Sequence, residues 1–254
     1  MELSGKVSLI TGGSRGVGKA IGLKFAQQGS DVALVYKSSK DEAEQTASNI
    51  RKTGRNAIAI PADLKDPKQA AMVVEKTVKE LGGLDILSHS AGAQVQWNTI
   101  RDSDPAQWAD YVTNDLIGSY NIFQPVLRYM HENNGGRVIA ISSIAAQMCQ
   151  SRNSQGAAAK AGLEALIRVA AREESRKNIL VNGISIGLTD TDQAREALDQ
   201  WGPEATEKII KSIPLGRMAN PEEIADMAVF LASEKGKYIT GKIIQVDGGQ
   251  IISG

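Results

Sequence analysis

The chain has 254 residues, 42% hydrophobic and 23% charged, which suits one α/β domain with a substantial buried core. Lys plus Arg number 29 and Asp plus Glu 29, a formal net charge of zero, so no global field draws the protein to nucleic acid or anionic lipid. Cys149 is the single cysteine; an intrachain disulfide and a thiolate-rich zinc site are thereby excluded.

The first apolar run, at 7–10, is of strand length, and no basic-then-apolar leader pattern precedes it. No stretch approaches the roughly 18 to 20 apolar residues that cross a bilayer. A soluble, cytoplasmic protein with neither a membrane nor a nucleic-acid partner is expected.

Taken in chain order, the pattern predicts a strand at 6–10. A helix follows at 16–28, with Val17, Ala20, Ile21, Phe25 and Ala26 on its apolar face and Gly29 as its stop. A second strand at 31–36 is followed by a helix at 40–52. A third at 57–61 is followed by a helix at 67–81 that starts on Pro67. The fourth strand is expected at 84–89. A long helix then covers 105–131, with a division into two pieces left open. The fifth strand at 136–142 precedes an alanine-rich helix at 155–175, and the sixth lies at 179–184. The rhythm breaks over 188–219, where short helices and loops are expected. A helix at 221–233 and a strand at 243–247 close the chain. Seven apolar strands separated mostly by helices predict an α/β fold: a Rossmann-type, doubly wound, parallel sheet with helices on both faces. No linker, repeat or low-complexity segment divides it, so a single dinucleotide-binding domain is expected, with 188–219 and 144–155 shaping a substrate pocket.

Residues 11–18 read Thr11-Gly12-Gly13-Ser14-Arg15-Gly16-Val17-Gly18, between the first strand and the first helix. Gly12 suits a tight turn, Gly16 the close approach of a pyrophosphate, and Gly18 the packing of helix on sheet. The N–H groups and dipole of the helix start suit a diphosphate. The spacing, Gly-x3-Gly-x-Gly, differs from the common dinucleotide fingerprint. An NAD site usually carries an acid at the end of the second strand. Here that end reads Tyr36-Lys37-Ser38, and Lys37 with Arg15 would attract a 2′-phosphate. NADP(H) is therefore the expected cofactor.

With Asp63-Leu64, Ser90-Ala91-Gly92, Ile141-Ser142-Ser143, Lys160-Ala161-Gly162, Val181-Asn182 and Val246-Asp247-Gly248-Gly249 added to this turn, the chain resembles the short-chain dehydrogenase/reductase family over essentially its whole length. The resemblance implies that Asp63 and Leu64 lie against the adenine and that Ser90, Ala91 and Gly92 flank the cofactor. Gly187 and Thr189 are further cofactor contacts, Ser143 hydrogen-bonds a substrate oxygen, and Lys160 holds the nicotinamide ribose. It also implies a small-molecule substrate and a homotetramer or homodimer built through the long helices.

The departures from the family pattern fall on the chemistry. Its Tyr-x3-Lys reads Gly156-Ala157-Ala158-Ala159-Lys160, so the proton-donating phenol is missing. The asparagine of its long helix is replaced by Asp115, its Asn-Asn-Ala-Gly by His89-Ser90-Ala91-Gly92, and its Pro-Gly by Ile186-Gly187. Hydride addition to a ketone leaves an alkoxide, and general acid catalysis is typically worth about 10²–10⁴-fold. Glycine supplies none of it. Enoyl and dienoyl thioester reductases of the family also depart from Tyr-x3-Lys. Some place a tyrosine seven residues before the lysine, where this chain has Asn153. Leu163-Glu164-Ala165-Leu166 and Ser185-Ile186-Gly187 are similar to that branch.

The expected catalytic group is Ser143, Lys160 and Asp115. If Asp115 faces the cofactor, it pairs with Lys160 or acts as an acid. Tyr111, one turn before it on the same face, is a candidate substitute phenol. Asn114 is expected to point elsewhere, and His89 to be a satisfied core histidine. The expected function is an NADP(H)-dependent reductase of a carbonyl or conjugated (enoyl) carbonyl, by a mechanism that does not use the usual tyrosine. The alternative is an NADP(H)-binding protein with a non-redox (isomerase or cyclase) or sensing role.

Overall fold

The computed structural model of the chain describes residues 1–133 and 135–252. Seven strands form its sheet: β1 (Val7–Thr11), β2 (Asp31–Tyr36), β3 (Ala57–Pro61), β4 (Ile86–His89), β5 (Gly136–Ser143), β6 (Ile179–Ile186) and β7 (Ile243–Val246). Their spatial order is β3-β2-β1-β4-β5-β6-β7, and every pairing is parallel. The connections are helical: α1 (Gly16–Gln27), α2 (Lys40–Arg51), α3 (Pro67–Leu81), α4 (Pro105–Val112), α5 (Gly118–Glu132), the short α6 (Ala145–Met148) and α7 (Ser154–Glu174), then α8 (Asp192–Trp201), α9 (Pro203–Ser212) and α10 (Pro221–Ala232).

Each strand contributes to two cores because successive side chains point to opposite faces. On one face Leu9, Val35, Leu87 and Val138 pack with Val73 of α3, Phe123 of α5 and Leu163 of α7. On the other, Ile10, Leu34, Ile86 and Ile139 pack with Phe25 of α1, Ile50 of α2 and Ile224 of α10. Burial on both faces explains the continuous apolar strand sequences. The expected Rossmann-type doubly wound sheet is the fold observed.

The differences are local and have local causes. β4 starts at Ile86 rather than at 84, because the Asp85 carboxylate accepts the Val7 N–H (2.9 Å) and Lys6 Nζ (3.1 Å). A side chain there does what a ladder bond would do. The expected helix at 105–131 is two helices joined by one π-turn, Thr113–Ile117. The Ser119 hydroxyl donates to the Asp115 carbonyl within that wider turn. Such turns re-aim one side chain, and here the side chain is that of Asp115. Across 188–219 the short helices are α8 and α9, broken at Gly202, whose φ of +80° suits glycine.

Candidate functional site

β1 and β4 are neighbours in space, and the chain leaves their C-terminal ends in opposite directions. Ligands of open α/β sheets bind at such a switch point. Gly12 follows β1 with φ +66°; a Cβ there would lie 2.9 Å from the Ala91 backbone nitrogen. A Cβ on Gly18 would lie 2.2 Å from the Gly12 carbonyl oxygen. The turn therefore closes only with glycine at both positions. Arg15, at the start of α1, makes no side-chain capping bond, and the first turn holds no acid. The N–H groups there are left for an anion, as a diphosphate requires. Ser14 is buried in the turn, Val17 is half-buried, and Arg15 is exposed.

Tyr36 is buried at the end of β2, and Lys37 and Ser38 beyond it are exposed. Lys37, expected to attract a 2′-phosphate, pairs with Asp63 at 2.8 Å. Burial raises the Asp63 carboxyl, but the Lys37 bond and charge and the Lys65 N–H outweigh it and hold it below its usual value. Asn121 of α5, which sequence reasoning missed, donates to the Leu64 carbonyl (2.8 Å) and ties this loop down. An asparagine within a helix carries no sequence signal for that distant partner.

Asp115, facing the cofactor, was expected either to pair with Lys160 or to act as an acid; the two side chains meet. Lys160 Nζ lies 3.1 Å from Asp115 Oδ2, with the carboxylate side chain 1% exposed. Oδ1 accepts the Ala93 N–H at 2.7 Å and the Asn114 amide at 3.1 Å. Asn114 was expected to point elsewhere; its side chain instead curls onto its neighbour's carboxylate because the π-turn alters their relative angle. Lys160 also reaches the Ile141 carbonyl (3.4 Å). A Cβ on Gly92 would lie 3.3 Å from Asp115 Oδ2 and 3.8 Å from Lys160 Nζ, so the bare face of Gly92 leaves room above the pair. The residues present fit a dinucleotide: a glycine-lined anion cradle at one end, a lysine–carboxylate pair beneath a glycine at the other.

His89 anchors this arrangement. Its Nδ1 is 2.8 Å from Thr11 Oγ1 and its Nε2 is 2.8 Å from Ser119 Oγ. Ser119 donates to the Asp115 carbonyl, so it accepts from Nε2–H. Thr11 Oγ1 accepts the Ser90 (3.1 Å) and Ala91 (3.2 Å) N–H groups and donates to the unprotonated Nδ1. Every proton in this chain is assigned by its partners. Burial, then the Lys160 charge, push the imidazole down to about 3 against the Asp115 charge, so it is neutral. The candidate substitute Tyr111 is also buried; burial first, then the Asp115 charge and hydrogen bond, raise its phenol above the usual value. A proton donor beside a lysine needs the opposite shift, so Tyr111 is a packed, protonated phenol.

Ser143 ends β5 half-buried, its Oγ accepting the Ala145 N–H at 3.2 Å. Gly156 lies in the first turn of α7, where Asn153 Oδ1 caps its N–H at 3.1 Å. A Cβ on Gly156 would lie 2.2 Å from that Oδ1. Gly156→Ala is therefore expected to displace the cap and lower stability by about 1 kcal/mol, measured by urea unfolding, with Asn153→Gly/Gly156→Ala no worse than Asn153→Gly alone.

The far wall is β6 and the segment beyond its C-terminal end. The Gly187 N–H bonds the Val246 carbonyl (3.1 Å), and a Cβ there would lie 2.7 Å from Asp247 Cα. Thr189 is buried and donates to the Gly187 carbonyl at 3.1 Å. α8 crosses above the cleft: Thr191 lies over Gly16, Gln193 donates to the Ala93 carbonyl (3.3 Å), and Trp201 packs edge-on against Trp97 at 4.7 Å.

The chain is similar to known proteins along essentially its whole length. A family model described as enoyl-(acyl carrier protein) reductase matches residues 12–250. The 3-oxoacyl-(acyl-carrier-protein) reductase FabG of Pseudomonas aeruginosa is 36% identical over 254 residues, 100% of both chains. Its namesake in Staphylococcus aureus is 33% identical over 244 residues, 96% of this chain and 97% of that one. The crystal structure of levodione reductase matches with a TM-score of 0.94 at 29% identity, covering 98% of each chain. That of a dehydrogenase/reductase from Sinorhizobium meliloti 1021 matches with 0.92 at 32%, covering 99% of this chain and 97% of that one. No helix among the described residues is long and apolar enough to cross a membrane. The chain belongs to the short-chain dehydrogenase/reductase family.

Proposed function

We propose that the protein is an NADP(H)-dependent reductase of a conjugated (enoyl) carbonyl or a carbonyl, working without the usual tyrosine. The observation that carries this reading is the buried Asp115–Lys160 pair beside Gly92, together with a helix start that has no side-chain cap and no acid in its first turn, as a diphosphate site requires. The reductases named above, matched along essentially the whole chain, support it.

The cofactor, when bound, supplies a hydride. The turn from Gly12 to Gly18 holds its diphosphate, with Ser14 and Val17 lining the turn. Asp63, Leu64 and Tyr36 flank the adenine end, and Arg15, Lys37 and Ser38 face the 2′-phosphate. Ser90, Ala91, Gly92, Gly187 and Thr189 line the nicotinamide end, and Lys160 holds its ribose. Ser143 donates to the substrate oxygen. Asp115 holds Lys160 in place through the 3.1 Å ion pair. In this reading Lys37 exchanges Asp63 for the phosphate. Lys37→Ala is accordingly expected to weaken NADPH binding about tenfold, in line with a lost charge-assisted bond, and to leave NADH binding unchanged in a fluorescence titration.

The assembly in this reading is a homodimer or homotetramer. The exposed Tyr120 of α5 and Val169 of α7, beside a groove of about 360 Å³, support contact through these helices.

Loss of NADPH absorbance with enoyl thioesters, quinones or ketones is the test. No turnover across that panel, with NADPH bound, would reject a reductase. A second reading, a non-redox or sensing role, is favoured by the bare Gly156; it expects NADPH binding without turnover, and reduction by the unaltered protein removes it.

A further inference from the structure

We propose that the side-chain amide of Asn153 is a hydrogen-bond donor to the substrate oxygen, in the space that a side chain at position 156 would otherwise enter, and that this selects conjugated thioesters over simple ketones. This rests on the reductase reading above. Asn153 is 4% exposed, yet its amide is only half used. The Gly156 N–H donates to one terminal atom at 3.1 Å, which must therefore be the oxygen Oδ1. The other terminal atom is then Nδ2. It donates to no group among the described residues, and it lies 3.1 Å from where a Cβ on Gly156 would be.

Gly156 and Lys160 stand one turn apart on one face of α7, and Lys160 Nζ lies at Asp115 under Gly92. The amide is thus placed one turn from the lysine, at the positive end of a 21-residue helix. The backbone bridge between Asn98 and Asn153 holds the residue from its other side. Nδ2 is not among the sealed-off unpartnered atoms of the described residues, so the donor is open to a ligand oxygen that enters beside it.

A carboxamide donates a hydrogen bond and not a proton. It therefore serves an anion that is shared onto oxygen and quenched at carbon. It does not serve an alkoxide, which must be protonated on oxygen. With a conjugated thioester the hydride from NADPH forms a C–H bond at the β-carbon, and the π pair moves through the α-carbon onto the thioester oxygen. Asn153 Nδ2–H and Ser143 Oγ–H share that negative charge. The α-carbon then takes a proton from water, leaving hydroxide to the buffer.

The test uses Asn153→Asp, which keeps an oxygen to cap Gly156 while removing the donor, with Asn153→Ser as a second variant. Asn153→Asp is expected to lower kcat for the crotonyl thioester of N-acetylcysteamine about 10²–10³-fold, as loss of one oxyanion donor does, with an unchanged unfolding midpoint and NADPH affinity. In wild-type protein saturated with NADP⁺, the Asn153 side-chain NH₂ signals, assigned by their absence from either variant, are expected to move downfield on adding the butyryl thioester. A kcat within threefold of wild type, or NH₂ signals that stay in place at saturation, overturns the proposal. Signals that move in a wild-type protein without turnover keep the donor and remove the reductase reading. Turnover with unmoved signals does the reverse.

Discussion

Lys160→Met is expected to destabilise the protein by about 3–5 kcal/mol, the range for a buried ion pair that loses one partner. The reason lies in what Asp115 retains. Its side chain is 1% exposed, and among the described residues Lys160, 3.1 Å from Oδ2, is its one ion-pair partner, beside the hydrogen bond from the Tyr111 phenol. The Ala93 N–H and the Asn114 amide serve Oδ1 alone. Without the ammonium, an unpaired carboxylate is left in the core. The double variant Lys160→Met/Asp115→Asn removes both charges and preserves an acceptor for Ala93. It is expected to recover most of the loss, and urea unfolding at fixed protein concentration reads the difference. A double variant no more stable than the single one would show that the uncompensated charge is not the cause. Both variants are expected to bind NADPH at least tenfold more weakly, because stability is restored while the ribose contact is not.

The second large effect concerns pH. His89 titrates near 6.5 when unfolded and at about 3 in the fold. Between those values the unfolded chain holds a proton that the native state refuses, so stability rises with pH there. The full contribution is present above pH 6.5 and is lost as pH falls toward 3. At about 1.4 kcal/mol per unit, pH 4.5 costs about 2–3 kcal/mol. His89→Asn does not titrate in this range. It is expected to be less stable than wild type at pH 7.5, because it loses the bonds to Thr11 and Ser119, but to lose less on acidification. Groups common to both proteins cancel in the comparison of slopes. Parallel stability curves from pH 7.5 to 4.5 would mean that the native histidine accepts the proton and that burial does not hold it neutral.

Much of this site was legible in the sequence. The Gly12-to-Gly18 turn announces itself because only glycine closes it, and the spacing of Ser143, Gly156 and Lys160 marked where this chain departs from the family pattern. Other features were not legible. Nothing near Asn153 says that its amide fills the place of a side chain at 156. That depends on how α7 starts. The Lys37–Asp63 pair, which changes what Lys37 offers a phosphate, joins the ends of β2 and β3. His89 was expected to be a satisfied core histidine and is one, but its partners, Thr11 of β1 and Ser119 of α5, were not legible.

The sequence alone determined the alternation of strands and helices, the parallel sheet it implies and the position of the glycine turn between β1 and α1. Hydrophobic period and glycine geometry are properties of neighbouring residues and survive without a tertiary frame. Only the tertiary structure decided which polar groups meet. A hydrogen bond of 2.7 Å between Ala93 and Asp115, or of 2.8 Å between Asn121 and Leu64, requires two distant segments to be packed to within a fraction of an ångström. That placement comes from the whole core pressing on them rather than from either segment.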